Sequence, residues 1–362
     1  MNTTPRKRPH IPALDGLRGV ANIMVVFYHN FPILYPYLFF SWLAMDIFFV
    51  MSGYLITDIL IKTIGTRHFM RNFYARRLLR VFPLYFLSLV ILLLILPLLL
   101  RFSFPIDYFI SNQVYFWTFL QNWLLIFHPH PNESYLNHLW SMAVEEQFYL
   151  LWPLVFVLVR NAKILFTILL LLLIGIITIR FVLWTQHIPG LDYFSLFSFT
   201  RIDGICIGCM VALLQLLNAN FIGRNLAFIV VCFAAANFIF YLFNRHHADS
   251  FPYVLIGYST FSMLFGLIVY DLVNRRTRIL EIIFSFSLLR FVGMISYGAY
   301  VFHWPVFLLM SPWLRQWSSN HLPISAELFA SIVATLVSYG LGFLSYELIE
   351  KRFLRLKKYF PS

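Results

Sequence analysis

The sequence predicts an all-α membrane protein: a polytopic bundle of about ten transmembrane helices that fills residues 1–362 as a single integral domain. Hydrophobic residues make up 60% of the chain and charged residues only 12%, whereas soluble domains average roughly 45–50% and about 25%. Apolar runs of about 20 residues, the length that crosses ~30 Å of hydrocarbon, recur along the chain. A water-soluble globule is therefore excluded.

Eleven apolar runs are candidate spans, and residues 108–127 are the weakest of them. This run contains Asn112, Gln113, Gln121 and Asn122 among aromatic residues that favour the membrane interface. The other ten runs are residues 17–36, 39–57, 82–100, 139–159, 164–184, 203–217, 225–243, 254–273, 292–310 and 326–346.

The distribution of Lys and Arg decides whether residues 108–127 cross, because cytoplasmic loops are enriched in these residues. With a cytoplasmic N terminus and no crossing at this run, 22 of the 27 Lys and Arg residues lie in the cytoplasm. If the run crosses, the division becomes 14 to 13. We therefore predict ten crossings, with both termini cytoplasmic. Residues 1–16 and 347–362 are then basic cytoplasmic segments, and residues 108–127 are re-entrant or lie in the outer interface.

The net charge of +12 is explained by this orientation and by attraction to anionic lipid of the cytoplasmic leaflet. It does not indicate a nucleic-acid partner. All three cysteines lie in apolar runs, which excludes a disulfide scaffold. Cys206 and Cys209 form a C-x-x-C pattern, which we interpret as small residues that let helices pack closely.

Three histidines, His128, His130 and His138, are expected on the outer surface together with Glu133. They lack the tight ligand spacing of known metal motifs. We therefore predict no metal site.

Ionisable residues inside spans are costly, so each is a candidate functional residue. Arg18 and His29 in the first span are eleven positions apart, which places them within roughly 20° of one helix face and ~16.5 Å apart along the axis. Arg18 is either an anchor at the membrane surface or a functional cation. His29 is either a hydrogen-bonded core histidine or a general base.

Asp46 in the second span lies at a level that approaches His29. It either orients the imidazole or pairs with an arginine. Arg76, Arg77 and Arg80 precede the third span, and Arg77 and Arg80 share a helix face. These arginines are either membrane anchors or ligands for phosphate, which Arg binds better than Lys does.

Glu145 and Glu146 lie at the mouth of the fifth of the eleven apolar runs, residues 139–159, and Ser141 shares a face with Glu145. Two adjacent acids at a membrane boundary predict a polar cavity. Arg201 and Asp203 lie at a matching level at the start of the seventh run, residues 203–217, and we expect them to pair with each other or with the glutamates. The tenth run, residues 292–310, places Tyr297 and His303 within the bilayer.

Together, seven segments resemble the integral membrane acyltransferase family 3, whose members O-acylate sugars and related acceptors of the bacterial envelope. The resemblance extends from about Ile11 to Phe353 and includes the ten residues between Arg18 and His29. The segments, in the order typical of the family, are LDGLRG, DIFFVMSGYLI, FYARRLLRVFPLY, HLWSMAVEEQFYLLWP, RIDGICIG, ISYGAYVFHWPV and SYELIEKRF.

This resemblance implies an O-acyltransferase of the bacterial inner membrane. Its donor would be cytoplasmic acyl-CoA, most simply acetyl-CoA. Its acceptor would be a hydroxyl of an envelope carbohydrate or a lipid-linked sugar on the outer side. No metal and no nucleic acid are implied, and membrane lipid is the surrounding partner.

The resemblance also suggests roles for individual residues. Arg18, Arg77 and Arg80 would hold CoA phosphates, and His29 would be the general base or would first carry the acyl group. Glu145, with Glu146 as the alternative, would orient or charge the imidazole, as a carboxylate does in hydrolytic triads. The supporting or substrate-binding residues would be Asp46, Ser141, Arg201, Asp203, Tyr297 and His303.

Many family members carry an additional span and an extracytoplasmic hydrolase-like domain. This chain would be a form without that domain, and a separate extracytoplasmic transferase would then be a partner. The alternative function is a polytopic transporter or translocase of a sugar or lipid-linked sugar, because intramembrane His, Glu and Arg also mark substrate and proton pathways. The lack of an internal repeat in the sequence weighs against it.

Overall fold

A computed structural model of the protein describes residues 10–34, 37, 41, 43–96, 106–128, 135–186, 192–217, 220–244, 253–321 and 325–361. The chain divides into two units, each assembled from three stretches of sequence. The first unit comprises Met1–Leu17, Met45–Gly65 and Ser141–Phe286. The second unit comprises Arg18–Ala44, Thr66–Trp140 and Ser287–Ser362.

Every regular element in the described residues is helical. Short π-helices at Val90–Ile95, Tyr253–Gly257 and Tyr346–Glu350 adjoin α-helices. The α-helices, numbered in chain order, are α1 (Pro12–Asn30), α2 (Ala44–Thr63), α3 (Phe69–Leu89), α4 (Ile106–Ser111), α5 (Gln113–Trp117), α6 (Gln121–Phe127), α7 (Trp140–Val159), α8 (Ala162–Thr185), α9 (Asp192–Ser195), α10 (Ser198–Arg201), α11 (Asp203–Leu216), α12 (Asn220–Asn244), α13 (Tyr258–Asn274), α14 (Arg278–Phe284), α15 (Ser287–His321), α16 (Ala326–Ser345) and α17 (Lys351–Arg355).

Seven helices within the described ranges are long and apolar enough to cross a membrane: α2, α3, α7, α8, α13, α15 and α16. Of these, α3, α7, α13 and α16 are counted together with the helical turns that adjoin them. They confirm the predicted all-α, polytopic membrane class. Helix α1 is not one of the seven, because Asp15, Arg18, Asn22 and His29 interrupt its apolar sequence. The number of ten crossings stays a prediction.

Residues 108–127, the weakest candidate span, form parts of three short helices, α4, α5 and α6, rather than one long helix. The longest of them has seven residues and is therefore only ~10 Å long. None of the three can cross ~30 Å of hydrocarbon by itself. Within the second unit, the Tyr85 hydroxyl of α3 donates to the Phe116 carbonyl at 2.7 Å and ties this segment to the helix bundle.

Helices α2 and α11 of the first unit approach each other at the backbone through two glycines. A Cβ atom at Gly53 or at Gly208 would overlap a carbonyl oxygen of the facing helix. Cys206 and Cys209, next to this approach, are fully buried. This arrangement agrees with their interpretation as small residues at a helix-packing surface.

In the second unit, asparagine side chains join α1 to its neighbours. Asn22 Nδ2 donates to the Ser296 carbonyl of α15 at 3.1 Å, and Asn30 Nδ2 donates to Thr335 Oγ1 of α16 at 3.1 Å. Both asparagines are fully buried. A hydrogen bond between helices holds them in register where no water competes for it.

The glycine contact makes a stability prediction. Gly208→Ala places a Cβ against backbone atoms of α2, so we expect a loss of about 1–3 kcal/mol in stability from overpacking. Gly175→Ala in α8 is the matched control, because its Cβ would meet no atom of the described residues within 4 Å. Ala is the better helix former by about 1 kcal/mol, so the control should be neutral or stabilising. Thermal unfolding of the purified variants measures both, and equal melting temperatures would contradict the close approach.

Candidate active site

Three histidines converge in the second unit. His29 comes from α1, His138 from the 3-10 turn Asn137–Leu139 and His303 from α15. The ring centre of His303 lies 5.0 Å from that of His29 and 5.1 Å from that of His138. His303 and His138 are buried, whereas His29 is only half-buried. The cluster therefore has an accessible end at His29.

The hydrogen bonds of His303 define its tautomer. Its Nδ1 lies 2.6 Å from the Tyr300 carbonyl oxygen, which can only accept, so Nδ1 carries the proton. In the neutral ring Nε2 is then a lone-pair acceptor. That Nε2 lies 3.2 Å from Nδ1 of His29.

The tautomer of His29 follows from that of His303. Nδ1 of His29 faces two acceptors, the Val25 carbonyl at 3.0 Å and Nε2 of His303 at 3.2 Å. It must therefore carry the proton and share it between them. The basic lone pair of the neutral ring is consequently on Nε2 of His29.

His138 is hydrogen-bonded to the Val301 carbonyl, which lacks its usual amide donor because the residue four positions later is Pro305. Pro305 inside α15 has no N–H to donate to the carbonyl four residues earlier, that of Val301. His138 Nε2 lies 3.2 Å from this carbonyl and donates to it. The Tyr300 hydroxyl donates in turn to the His138 carbonyl. Nδ1 of His138 has no hydrogen-bond partner among the described residues.

Aromatic rings surround His29. Its ring centre lies 5.2 Å from that of Trp304 and 5.1 Å from that of Tyr28. Trp304 stacks on Phe307, with centres 5.8 Å apart. These rings limit the access of water to the imidazole while leaving it half-buried.

His29 and His303 are both predicted site residues, but nothing in the sequence predicted that they bond to each other. The expected surface position of His138 is wrong, because this residue is only 4% exposed. Burial is tolerated because the carbonyl beside Pro305 accepts the ring proton. The signal was present in the sequence, since a proline within a span always frees a carbonyl four residues earlier. His130 and Glu133 lie outside the described residues.

The predicted phosphate-binding arginines lie on α3 in the second unit, where the chain after α17 packs against them. Arg76 Nη1 donates to the Phe360 carbonyl at 2.9 Å. Lys357 lies within electrostatic range of Arg76, Arg77 and Arg80, and the acid that interacts with Arg80 there is Glu350. Four cations near one buried carboxyl form a region of positive potential that suits an anion.

Arg18 and Tyr297, also predicted site residues, belong to the second unit as well. Arg18 is half-buried and lies on the same unbroken helix as His29, as the spacing predicts. The Tyr297 hydroxyl donates to the Val81 carbonyl of α3 at 2.6 Å. Tyr297 therefore fastens α15 to the helix that carries the arginines.

Two arginines and two aspartates form a buried ionic cluster in the first unit. Arg180 Nη2 lies 2.8 Å from Asp203 Oδ2, and Arg201 Nη2 lies 3.1 Å from Asp46 Oδ1. None of the four side chains is more than 1% exposed. Paired opposite charges make this burial tolerable.

Neutral groups complete the ionic cluster. The Ser259 hydroxyl donates to Asp203 at 2.7 Å, and the Ser262 hydroxyl donates to Asp46 at 3.3 Å. The Tyr258 ring lies 4.1 Å from the guanidinium carbon of Arg201 and 5.1 Å from that of Arg180. The aromatic face adds cation–π attraction to both arginines.

This cluster decides between the two alternatives for Asp46, which forms an ion pair with an arginine. The expected ion pair between Arg201 and Asp203 is replaced by two others: Asp203 pairs with Arg180, a residue that the sequence did not single out, and Arg201 pairs with Asp46. Arg180 lies inside α8 rather than in a loop. A lone arginine near the end of an apolar run could have indicated a buried partner.

The predicted acids of α7 lie in the first unit. The Tyr149 hydroxyl donates to Glu145 Oε2 at 3.3 Å, one helical turn away, as their spacing predicts. Glu145 and Glu146 are half-buried and Ser141 is buried. Since His29 belongs to the second unit, the partnership between Glu145 and His29 stays a prediction. Within the described ranges no group of three or more His, Cys, Asp or Glu side chains is arranged to hold a metal ion, and this includes the three histidines.

The ionic cluster makes a second stability prediction. Asp203→Asn removes one charge and leaves the Arg180 guanidinium buried, so we expect a loss of about 3–5 kcal/mol in stability. The control is Glu281→Gln, whose ion pair with Arg275 is exposed and 3.7 Å long, with an expected loss of at most about 1 kcal/mol. Denaturant unfolding of the purified proteins compares them. A loss for Asp203→Asn no larger than that of the control would exclude a stabilising role for the cluster.

Comparison with protein families matches residues 11–343 to the acyltransferase domain of acyltransferase family 3. Peptidoglycan O-acetyltransferase OatA of Listeria monocytogenes is 30% identical over 376 residues, which cover 96% of this chain and 56% of the relative. The putative peptidoglycan O-acetyltransferase YrhL of Bacillus subtilis is 30% identical over 367 residues, with coverages of 94% and 54%. O-acetyltransferase OatA of Staphylococcus aureus is 27% identical over 372 residues, with coverages of 94% and 57%.

The chain thus spans about half the length of these curated relatives. No solved structure matches it. The family match, in contrast, includes the helices that carry His29, the α3 arginines, the buried ionic cluster and His303. This chain belongs to the integral membrane acyltransferase family 3.

Proposed function

We propose that this chain is a membrane O-acetyltransferase of the bacterial cytoplasmic membrane. It would take an acetyl group from acetyl-CoA on the cytoplasmic side and deliver it to a hydroxyl of an envelope carbohydrate on the outer side. The observation that carries the proposal is the tautomer of His29, which makes Nε2 a base at the accessible end of the histidine cluster. Family membership supports acyl transfer and does not favour the transporter alternative.

The proposed reaction needs one basic nitrogen. Nε2 of His29 removes the proton of the acceptor hydroxyl while the hydroxyl oxygen attacks the thioester carbonyl carbon. The C–O ester bond forms as the C–S bond breaks, and the imidazolium returns its proton to the CoA thiolate. Alternatively, Nε2 attacks the thioester carbonyl carbon itself, and an N-acetyl bond forms as the C–S bond breaks and CoA leaves as the thiolate. The acceptor hydroxyl oxygen then attacks this acetyl group, the N–acetyl bond breaks, and the hydroxyl proton passes to the thiolate. Both routes use the same atom.

The donor would bind through its 3′-phosphate and pyrophosphate at Arg77 and Arg80, with Arg18 as a further cation. Arginine binds phosphate with two parallel hydrogen bonds. Lys357 adds positive potential beside these arginines. Glu145, with Glu146 as the alternative, keeps its proposed role as the carboxylate that stabilises the charged imidazole.

The acceptor class is proposed from the relatives. The names of the Listeria and Bacillus relatives specify peptidoglycan, which is an envelope carbohydrate with free hydroxyls. We therefore propose a glycan of this type as the acceptor. Mass spectrometry of envelope glycans from cells with and without the protein identifies the acetylated sugar.

The function is tested with radiolabelled acetyl-CoA and membrane vesicles of both orientations. We expect label on envelope carbohydrate only when the donor contacts the cytoplasmic face. His29→Ala should lower this transfer by about 10²–10⁴-fold, the usual contribution of a general base. His321→Ala, a change at an exposed histidine at the end of α15, is the matched control and should transfer normally.

Two outcomes would contradict this proposal. Wild-type protein that transfers no label in either orientation would exclude the proposed function. A folded, monodisperse His29→Ala protein that keeps more than roughly a tenth of the activity would remove His29 from catalysis.

Donor binding gives a separate prediction. Arg77→Lys and Arg80→Lys keep the charge that sets membrane orientation, but Lys lacks the planar two-pronged donor of Arg. Each change should weaken CoA binding by about 1.5–3 kcal/mol, or roughly one to two decades in Kd. Arg71→Lys, at an exposed position on the same helix, is the control. Calorimetry of CoA binding measures all three, and wild-type affinity at both test positions would mean that these arginines act only as topological signals.

A further inference from the structure

We infer that His303 is a positioning residue, which holds His29 in the tautomer and ring orientation that make Nε2 the reactive nitrogen. This inference rests on the proposed function of His29. The observation behind it is a chain of three hydrogen bonds: from His303 Nδ1 to the Tyr300 carbonyl, from His29 Nδ1 to His303 Nε2, and from His29 Nδ1 to the Val25 carbonyl.

The Val25 carbonyl alone would orient the His29 ring only weakly. It lies on the same helix, four residues earlier, where the amide of His29 also donates to it as part of the α-helix. Two donors then compete for one carbonyl oxygen. His303 Nε2 is an acceptor without a proton of its own, and it belongs to a different helix. It therefore fixes the imidazole in a way that α1 by itself cannot.

His303 is itself held with little freedom. Its side chain is fully buried, and the bond of Nδ1 to the Tyr300 carbonyl fixes its own tautomer. Two hydrogen bonds to His138 hold the helical turn that contains His303. The His138 ring donates to the Val301 carbonyl, and the His138 carbonyl accepts from the Tyr300 hydroxyl. Pro305 keeps the Val301 carbonyl available for this clamp. Nε2 of His303 is therefore already in place to accept from His29, because the His303 side chain is held in one rotamer.

The pair gains importance when His29 takes up a proton. The charged ring is a stronger donor than the neutral ring, so its Nδ1 bond to the neutral His303 strengthens as charge develops. His303 would thereby stabilise the protonated form of His29 while touching neither acetyl-CoA nor the hydroxyl that receives the acetyl group. In hydrolytic triads a carboxylate is hydrogen-bonded directly to the histidine. At Nδ1 of His29 the group bonded from the other helix is an uncharged imidazole, which is less costly to bury, so any charge from Glu145 or Glu146 would act in addition to this hydrogen bond.

The experiment measures the tautomer of His29 and the kinetics in the same proteins. The 15N resonances of a ring nitrogen with and without a proton are well separated, so NMR of full-length protein labelled at histidine reports which nitrogen of His29 carries the proton. His303→Leu removes the acceptor. His303→Gln keeps one, because its carboxamide can accept from His29 and donate to the Tyr300 carbonyl. His321→Gln is the control. Nδ1 of His321 also bonds a carbonyl four residues earlier on the same helix, but His321 lies about five turns beyond His303 on α15.

We expect wild-type His29 to carry its proton on Nδ1. His303→Leu should shift part of the His29 population to the other tautomer and lower kcat by about 10- to 100-fold, the range found when a group that orients a metal-binding histidine is removed. KM for acetyl-CoA should stay unchanged, because His303 lies outside the proposed donor site. His303→Gln should retain the Nδ1 tautomer and recover most of kcat, and His321→Gln should behave as wild type.

Three outcomes would overturn the inference. The first is a proton on Nε2 of His29 in the wild-type protein. NMR of the wild type tests this even if every variant unfolds. The second is a folded His303→Leu protein with an unaltered tautomer and unaltered kcat. The third is equal loss in the Leu and Gln variants, which would mean that His303 only fills space. Because the tautomer is measured without any substrate, failure of this inference is distinguishable from failure of the proposed transferase activity.

Discussion

A single missing amide proton organises the histidine cluster. Pro305 cannot donate to the Val301 carbonyl, and a carbonyl buried without a donor costs several kcal/mol where water is absent. His138 supplies the donor and is buried as a result. Its own carbonyl accepts from Tyr300, the residue whose carbonyl fixes His303. His303, fixed in this way, accepts the hydrogen bond that orients His29.

The two units bury polar groups by different means. The first unit buries four full charges and compensates them with each other, with two serines and with an aromatic face. The second unit keeps its buried rings uncharged and compensates them with backbone carbonyls. Removing one partner of a buried ion pair is costly, and each charge of an intact pair is already neutralised by its partner. A neutral imidazole retains a lone pair, which is the property a base needs.

Features that depend on one helix could be predicted from the sequence. The shared face of Arg18 and His29, the contact between Glu145 and Tyr149 and the failure of residues 108–127 to form one long helix all follow from spacing or composition. Features that depend on two helices distant in sequence could not. The bond between His29 and His303 joins residues 274 positions apart, and no periodicity encodes that distance. Asp46 and Arg201 illustrate the same limit, because the sequence analysis narrowed Asp46 to two kinds of partner without identifying the residue.

The ionic cluster of the first unit has an electrical consequence. Arg180, Arg201, Asp46 and Asp203 carry two positive and two negative charges in close contact. A transmembrane potential exerts about 2.3 kcal/mol per 100 mV on each elementary charge that it moves across the membrane, but the four charges together have no net charge, so the net force on the cluster as a unit is zero. Changes in membrane voltage therefore leave the cluster in place. The membrane potential can therefore fluctuate without a net force that displaces the helices joined by this cluster.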